Sequence, residues 1–289
     1  MEFLTALQSW WVDPFVLNGF MRNALWAGLL AMLATSIMGT WVVLRGVSFF
    51  GDALAHGVLP GVVIAFVLGL DTSLGAFVAA AVMVGGISFI RGHSSLPEDT
   101  SIGVLFVGFL SLAVVIISGF SGSYIGDLNR FLFGSITGVD TDDLRRQAMA
   151  AAISVIGAIV FYRAFLVMTF DETQARILGL RPRLANAALL VLLAISIVAS
   201  FEAVGTLLVL GFLIAPPATA CLLVRRVPRI MIVAAFTGGL AVVVGLLVSY
   251  HHGTAASATM TLTSVSIFLV VLAGRVLYKK LWAYNKNTT

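Results

Sequence analysis

The sequence predicts an all-α fold: a polytopic bundle of about eight to nine membrane-spanning helices, forming one domain over residues 1–289. Three observations predict it. Uncharged apolar runs recur along the chain, each near the roughly 20 residues that a helix rising about 1.5 Å per residue needs to cross a hydrocarbon core. Charged residues make up 10% of the chain and hydrophobic ones 60%, whereas a soluble domain is about 25% charged. Basic residues are also distributed very unevenly between alternate loops, as they are in multi-pass proteins.

Taken in order, the chain opens with Met1 to Leu17, which holds Glu2 and Asp13 and lacks the basic start of a cleavable signal peptide. Phe3, Leu4, Leu7, Trp10 and Trp11 recur at helical spacing. Residues 1–22 therefore read as an interfacial segment carrying a short amphipathic helix. Nine runs follow as spanning candidates: 23–44, 50–70, 72–90, 99–120, 147–167, 184–203, 205–224, 229–250 and 258–278. The runs 50–70 and 184–203 are only just long enough. The stretch 121–146 is polar and glycine-rich, with one apolar piece, Phe131 to Ile136, expected as a short helix or re-entrant segment. Pro216-Pro217 falls within an apolar run, removes two backbone donors and is expected to kink or break that helix. Small residues such as Gly75-Ala76, Ala148 to Ala152 and Gly238-Gly239 suit close helix packing in lipid.

Orientation follows from lysine and arginine. With the C-terminus inside, one side holds Arg45, Arg91, Arg163, Arg176, Arg181, Arg183, Arg225, Arg226, Arg229, Arg275, Lys279, Lys280 and Lys286. The other side holds only Arg22, Arg130, Arg145 and Arg146. The positive-inside asymmetry places the N-terminus outside. The net charge of +4 thus reflects basic loops facing anionic lipid and cytoplasm, and no nucleic-acid partner is expected.

The most informative stretch is Gly51-Asp52-Ala53-Leu54-Ala55-His56-Gly57-Val58-Leu59-Pro60-Gly61. Asp52 and His56 are four residues apart, so a helix presents both on one face. A carboxylate and an imidazole suit Mn(II), Zn(II) or Fe(II) better than Cu(I) or Ca(II). The alternative is that Asp52 caps the second span and His56 is an interior histidine. Further on, Pro97-Glu98-Asp99 is a good helix start. Glu98 and Asp99 become secondary ligand candidates if they approach the first pair.

Phe170-Asp171-Glu172-Thr173-Gln174-Ala175-Arg176-Ile177-Leu178-Gly179-Leu180 lies within the largest inner loop, 163–183. Asp171 can cap, Glu172 favours the first turn and Gly179 can terminate, giving a two-turn helix across the inner face. It is either a connector or a knob that docks a cytoplasmic motor. On the outer side, Asp140, Asp142 and Asp143 precede Arg145 and Arg146, and Glu202, His251 and His252 lie near span ends. Adjacent histidines diverge on a helix and are weak as a chelating pair. Cys221 is the sole cysteine, which excludes an intrachain disulfide or thiolate cluster. No G-x-x-x-x-G-K-[ST] occurs, so any ATP hydrolysis needs another chain.

Five stretches together resemble the membrane permeases of ABC importers for zinc, manganese and iron: VVLRGVSFFGDALAHGVLPG, EDTSIGVLFVGFLSL, LNRFLFGSITGV, FDETQARILGL and SFEAVGTLLVLGFLIAPPATACLL. They follow the family's order from about Trp41 to Leu223. The resemblance implies a type II importer-like permease in a bacterial plasma membrane. It implies a second permease copy, a cytoplasmic ATP-binding subunit and an extracytoplasmic metal-binding protein as partners, besides membrane lipid. It assigns Asp52 and His56, with Glu98 or Asp99 nearby, to the metal path. Asp171, Glu172, Ala175, Leu178 and Gly179 fall in the coupling helix that seats in the ATPase. No permanent cofactor is implied, only a transported Mn, Zn or Fe ion. Where such permeases often carry Tyr-Tyr and an acidic turn, this chain has Tyr250-His251-His252-Gly253, leaving Glu202, His251 and His252 as a possible outer mouth.

Three other classes compete. A siderophore- or cobalamin-type ABC permease shares the architecture but has no need of an Asp/His pair. An ion-coupled secondary transporter needs acids or lysines deep within spans, and the span centres here are nearly free of them. A membrane scaffold would need neither a broken span nor a docking helix.

Overall fold

The computed structural model describes residues 10–93, 98–119 and 138–286. The expected helices within Met1 to Ser9 and 131–136 lie outside the described residues. Among the described residues there are helices and connecting turns and no strand. In chain order the helices are α1 (Asp13–Leu17), α2 (Gly19–Arg45), α3 (Phe49–Gly57), α4 (Leu59–Val67), α5 (Thr72–His93), α6 (Glu98–Gly119) and α7 (Thr141–Val160). They continue with α8 (Tyr162–Phe170), α9 (Glu172–Ile177), α10 (Pro182–Val204), α11 (Thr206–Leu223), α12 (Val227–His252) and α13 (Ala256–Lys286).

Seven segments are each long and apolar enough to cross a membrane, with α3 and α4 counted as one. An eighth is the pair α7 and α8, bent by 66° at Phe161. The run expected over 205–224 folds as α11, whose 18 residues reach about 27 Å. The 50–70 run is divided because Pro60 cannot donate a helical hydrogen bond to the His56 carbonyl.

The bundle is built around α2, which packs against α7, α10, α11 and α12. Its small residues explain this centrality. Ala24, Ala27, Ala31 and Gly39 are buried, and a Cβ at Gly39 would collide with the Leu213 carbonyl of α11. Near the inner end Trp41 is fully buried, held edge-on by Tyr162 and Phe165 of α8 at 5.7 and 5.6 Å between ring centres. Burying backbone-close small residues replaces the hydrophobic drive that lipid cannot supply.

The kink expected at Pro216-Pro217 is not a break: α11 is helical through both, and both are buried. The missing Pro216 N–H would have bonded the Phe212 carbonyl. Ser36 of α2 donates its hydroxyl to that carbonyl instead, at 3.4 Å. The Leu213 carbonyl, which loses the Pro217 donor, rests on Gly39. A neighbouring helix thus supplies what the prolines remove.

Two groups of contacts mark the ends of the bundle. At one end Asn18 donates to the Tyr250 hydroxyl and Asn23 to the Val139 carbonyl. Arg146 lies 3.9 Å from Asp71 and donates to the Ser73 hydroxyl at 3.5 Å. The Ser73 hydroxyl and then its backbone N–H hold the Asp71 carboxyl below the usual carboxylate range. At the other end Arg45 donates to Asn186 at 2.6 Å. The first group lies at the end that the charge asymmetry assigns to the outside, the second at the end it assigns to the inside. Between them α4 and α5 cross at Gly61 and Gly75, each occupying the space a Cβ of the other would need.

Candidate functional site

The helix α3 begins at Phe49, with Ser48 at its N-cap making no side-chain cap. Asp52 therefore stands inside the helix and does not cap it. One flank of α3 is committed to packing: Gly51 meets Leu213 of α11 and Gly57 meets Met83 of α5. Asp52 and His56 project from the helix with His56 Nε2 3.5 Å from Asp52 Oδ1. Both are half-buried, with 27% of the His56 side chain and 38% of the Asp52 side chain exposed. From Phe49 the imidazole is about 10 Å along the helix axis, well inside the membrane-spanning segment.

An aromatic wall flanks the pair. Phe106 of α6 lies 6.3 Å from the His56 ring, and Phe49 meets Phe106 edge-on at 5.5 Å. Sequence reasoning missed Phe106. Its only signal is register: it follows Asp99 by seven residues, so a helix puts the two on one face. By the same register Asp99 sits about 10 Å further toward the inner end. Asp99 is exposed at the start of α6, and the Glu98 side chain lies outside the described residues. Among the described residues no three His, Cys, Asp or Glu side chains come together as a metal cage. Asp52 and His56 stand as a carboxylate–imidazole pair.

The inner segment has the local chemistry its sequence indicates. Asp171 caps α9 by accepting from the Gln174 N–H at 2.9 Å. Gly179 ends it with φ of +71°, a region that favours glycine, and the Leu180 N–H closes on the Ala175 carbonyl at 3.0 Å. Ala175 is buried and anchors the short helix. Leu178 is exposed, and so are Phe170 and Ile177, the latter at 80%. Ile177 was also missed; it stood in the motif unweighed beside Leu178. The Glu172 side chain lies outside the described residues.

At the outer end His251 stacks on Trp10, ring centres 4.4 Å apart, and its Nε2 donates to the Trp10 carbonyl at 3.1 Å. His252 turns away and donates from Nδ1 to the Val248 carbonyl. The two rings diverge, as adjacent helical residues must. The Glu202 side chain lies outside the described residues.

The described residues thus form a bundle of membrane-length apolar helices that carries a half-buried acid–imidazole pair. The chain belongs to the ABC 3 transport family, whose model matches residues 18–275. It is 33% identical over 266 residues to a probable iron transport system membrane protein of Haemophilus influenzae, covering 92% of this chain and 97% of that one. It is 33% identical to the manganese transport system membrane protein MntC of Listeria innocua, over 87% of this chain and 89% of that one. Among solved structures it resembles PsaBC from Streptococcus pneumoniae in complex with Fab. That match has a TM-score of 0.79 at 32% identity, covering 90% of this chain and 94% of that one. The chain is thus a multi-pass permease subunit of an ABC transporter in the bacterial plasma membrane.

Proposed function

We propose that this permease passes a divalent transition-metal ion, Mn(II), Zn(II) or Fe(II), inward by way of Asp52 and His56. The observation that carries the reading is a half-buried carboxylate and imidazole 3.5 Å apart within an otherwise uncharged span. Ionisable groups at such depth are expensive and commonly serve a transport path. The iron and manganese named for the relatives in Haemophilus influenzae and Listeria innocua support it. Two protein ligands replace part of an ion's hydration shell, and water or a second permease copy completes it. Such a site holds the ion weakly enough to release it. Asp99, displaced toward the inner end, is a further station on the way out, with Glu98 beside it in the chain.

ATP is hydrolysed in a separate subunit that seats the knob from Asp171 to Gly179. Exposed Ile177 and Leu178 offer it an apolar contact, and Glu172 lies in the same turn. A second permease copy faces the pair, and an extracytoplasmic protein delivers the ion at the outer end, where Glu202, His251 and His252 lie. The test is uptake of radioactive manganese, zinc and iron by cells carrying Asp52→Ala with His56→Ala. Loss of uptake, with normal amounts of protein in the membrane, is expected. Undiminished uptake of all three ions overturns the assignment.

A further inference from the structure

On the outer half of the bundle, away from the acid–imidazole pair, a groove of about 470 Å³ runs between α5, α7 and α10. Its walls are apolar, with Met149, Ile153 and Ile195 along them, and its mouth carries Ser73, Asp143 and Arg146. Met149 and Ile153 are about half exposed, so the groove opens sideways, toward lipid. From Arg146 to Ile153 is seven residues, about 10 Å of helix, or roughly a third of a 30 Å hydrocarbon core. The polar mouth therefore sits at headgroup level and the walls at acyl level.

The mouth has mixed charge. Asp143 and Arg146 are three residues apart on α7 and share a face. Arg146 makes long contacts to Asp71 and Ser73, at 3.9 and 3.5 Å, and a guanidinium carries five N–H donors. An acyl chain gains little by leaving one apolar medium for another, so selectivity must come from the mouth. A phosphate meets Arg146. An anionic headgroup without an amine offers Asp143 and Asp71 at most a neutral hydroxyl donor, with no positive charge to offset their repulsion. A quaternary ammonium satisfies the charge but has no N–H to donate to a carboxylate. A primary ammonium supplies both.

We propose that this groove is a binding site for a phospholipid of the phosphatidylethanolamine class, its phosphate on Arg146, its ammonium on Asp143 and one acyl chain along Met149 and Ile153. The test is native mass spectrometry of the full-length permease released from bilayers containing equal amounts of phosphatidylethanolamine, phosphatidylglycerol and phosphatidylcholine. The wild type retains phosphatidylethanolamine several-fold over the other two. Arg146→Gln and Asp143→Asn each level the three, and Ile153→Trp lowers retention of the favoured lipid. Equal retention by the wild type, or preference for phosphatidylglycerol, overturns the proposal and needs no variant to be read. So does efficient disulfide formation between two copies of Met149→Cys in membranes, which would mean that a second copy fills the groove.

Discussion

Two pairs of helices in the bundle are equally apolar and differ in how they are covered. In α2 and α10, 67% of the spanning window is buried inside the molecule; in α6 it is 17% and in α13 it is 11%. On the packed side glycine, alanine and serine bring backbones together, as where Gly39 receives the Leu213 carbonyl and Ser36 bonds that of Phe212. The open side carries Phe106 and, across from it, the half-buried Asp52 and His56. Hydropathy is alike on both; what differs is whether small residues are spent on closing contacts. The lesson is that equal hydropathy does not mean equal burial: small residues decide which apolar helices close against their neighbours.

The sharpest way to break this contrast is Gly39→Leu. The new side chain has only the Leu213 backbone to enter, and overpacking of that kind costs about 3 kcal/mol or more. No folded permease should be recovered by size-exclusion chromatography. Next is Phe106→Ala on the open side, which removes the wall beside His56. The melting temperature should move by only a few degrees, while metal uptake falls about tenfold, as when groups orienting a metal ligand are lost. If the melting temperature collapses and uptake per folded molecule is normal, the division between the sides is wrong.

The same contrast extends to the inner face. Gly179→Val forces a branched side chain into φ of +71°, costing about 1–2 kcal/mol. Co-purification of the ATP-binding subunit should drop roughly tenfold while the spans stay folded. The smallest effect belongs to Asp71→Asn at the outer end. Because Ser73 hydrogen bonds lower the Asp71 pKa, the carboxylate contributes stability at neutral pH, above its unfolded pKa of about 4. That contribution disappears as the pH falls through the still lower folded value. Wild type and Asp71→Asn should differ slightly in melting temperature at pH 7 and converge on acidification.

Much of this was legible because it is local. The apolar runs, the shared face of Asp52 and His56, the Asp171 cap and the Gly179 stop each depend on a few neighbouring residues. What was not legible depends on distant ones. Pro216-Pro217 read as a break because the compensating hydroxyl, Ser36, is far off in sequence. The interruption came instead at Val58, two residues after His56. Phe106 belongs to the site only because α6 lies across α3. His251 looked available at an entrance, and the fold has it stacked on Trp10.

The sharp turn at Phe161 has a mechanical meaning. Beyond it, α8 is a straight rod whose near end grips Trp41 through Tyr162 and Phe165 and whose far end continues through Asp171 into α9. If α9 seats in an ATP-binding subunit as proposed, rod, cap and short helix act as a crank: displacement at the cytoplasmic tip is delivered as torque to the axle of the bundle, with the elbow as its pivot.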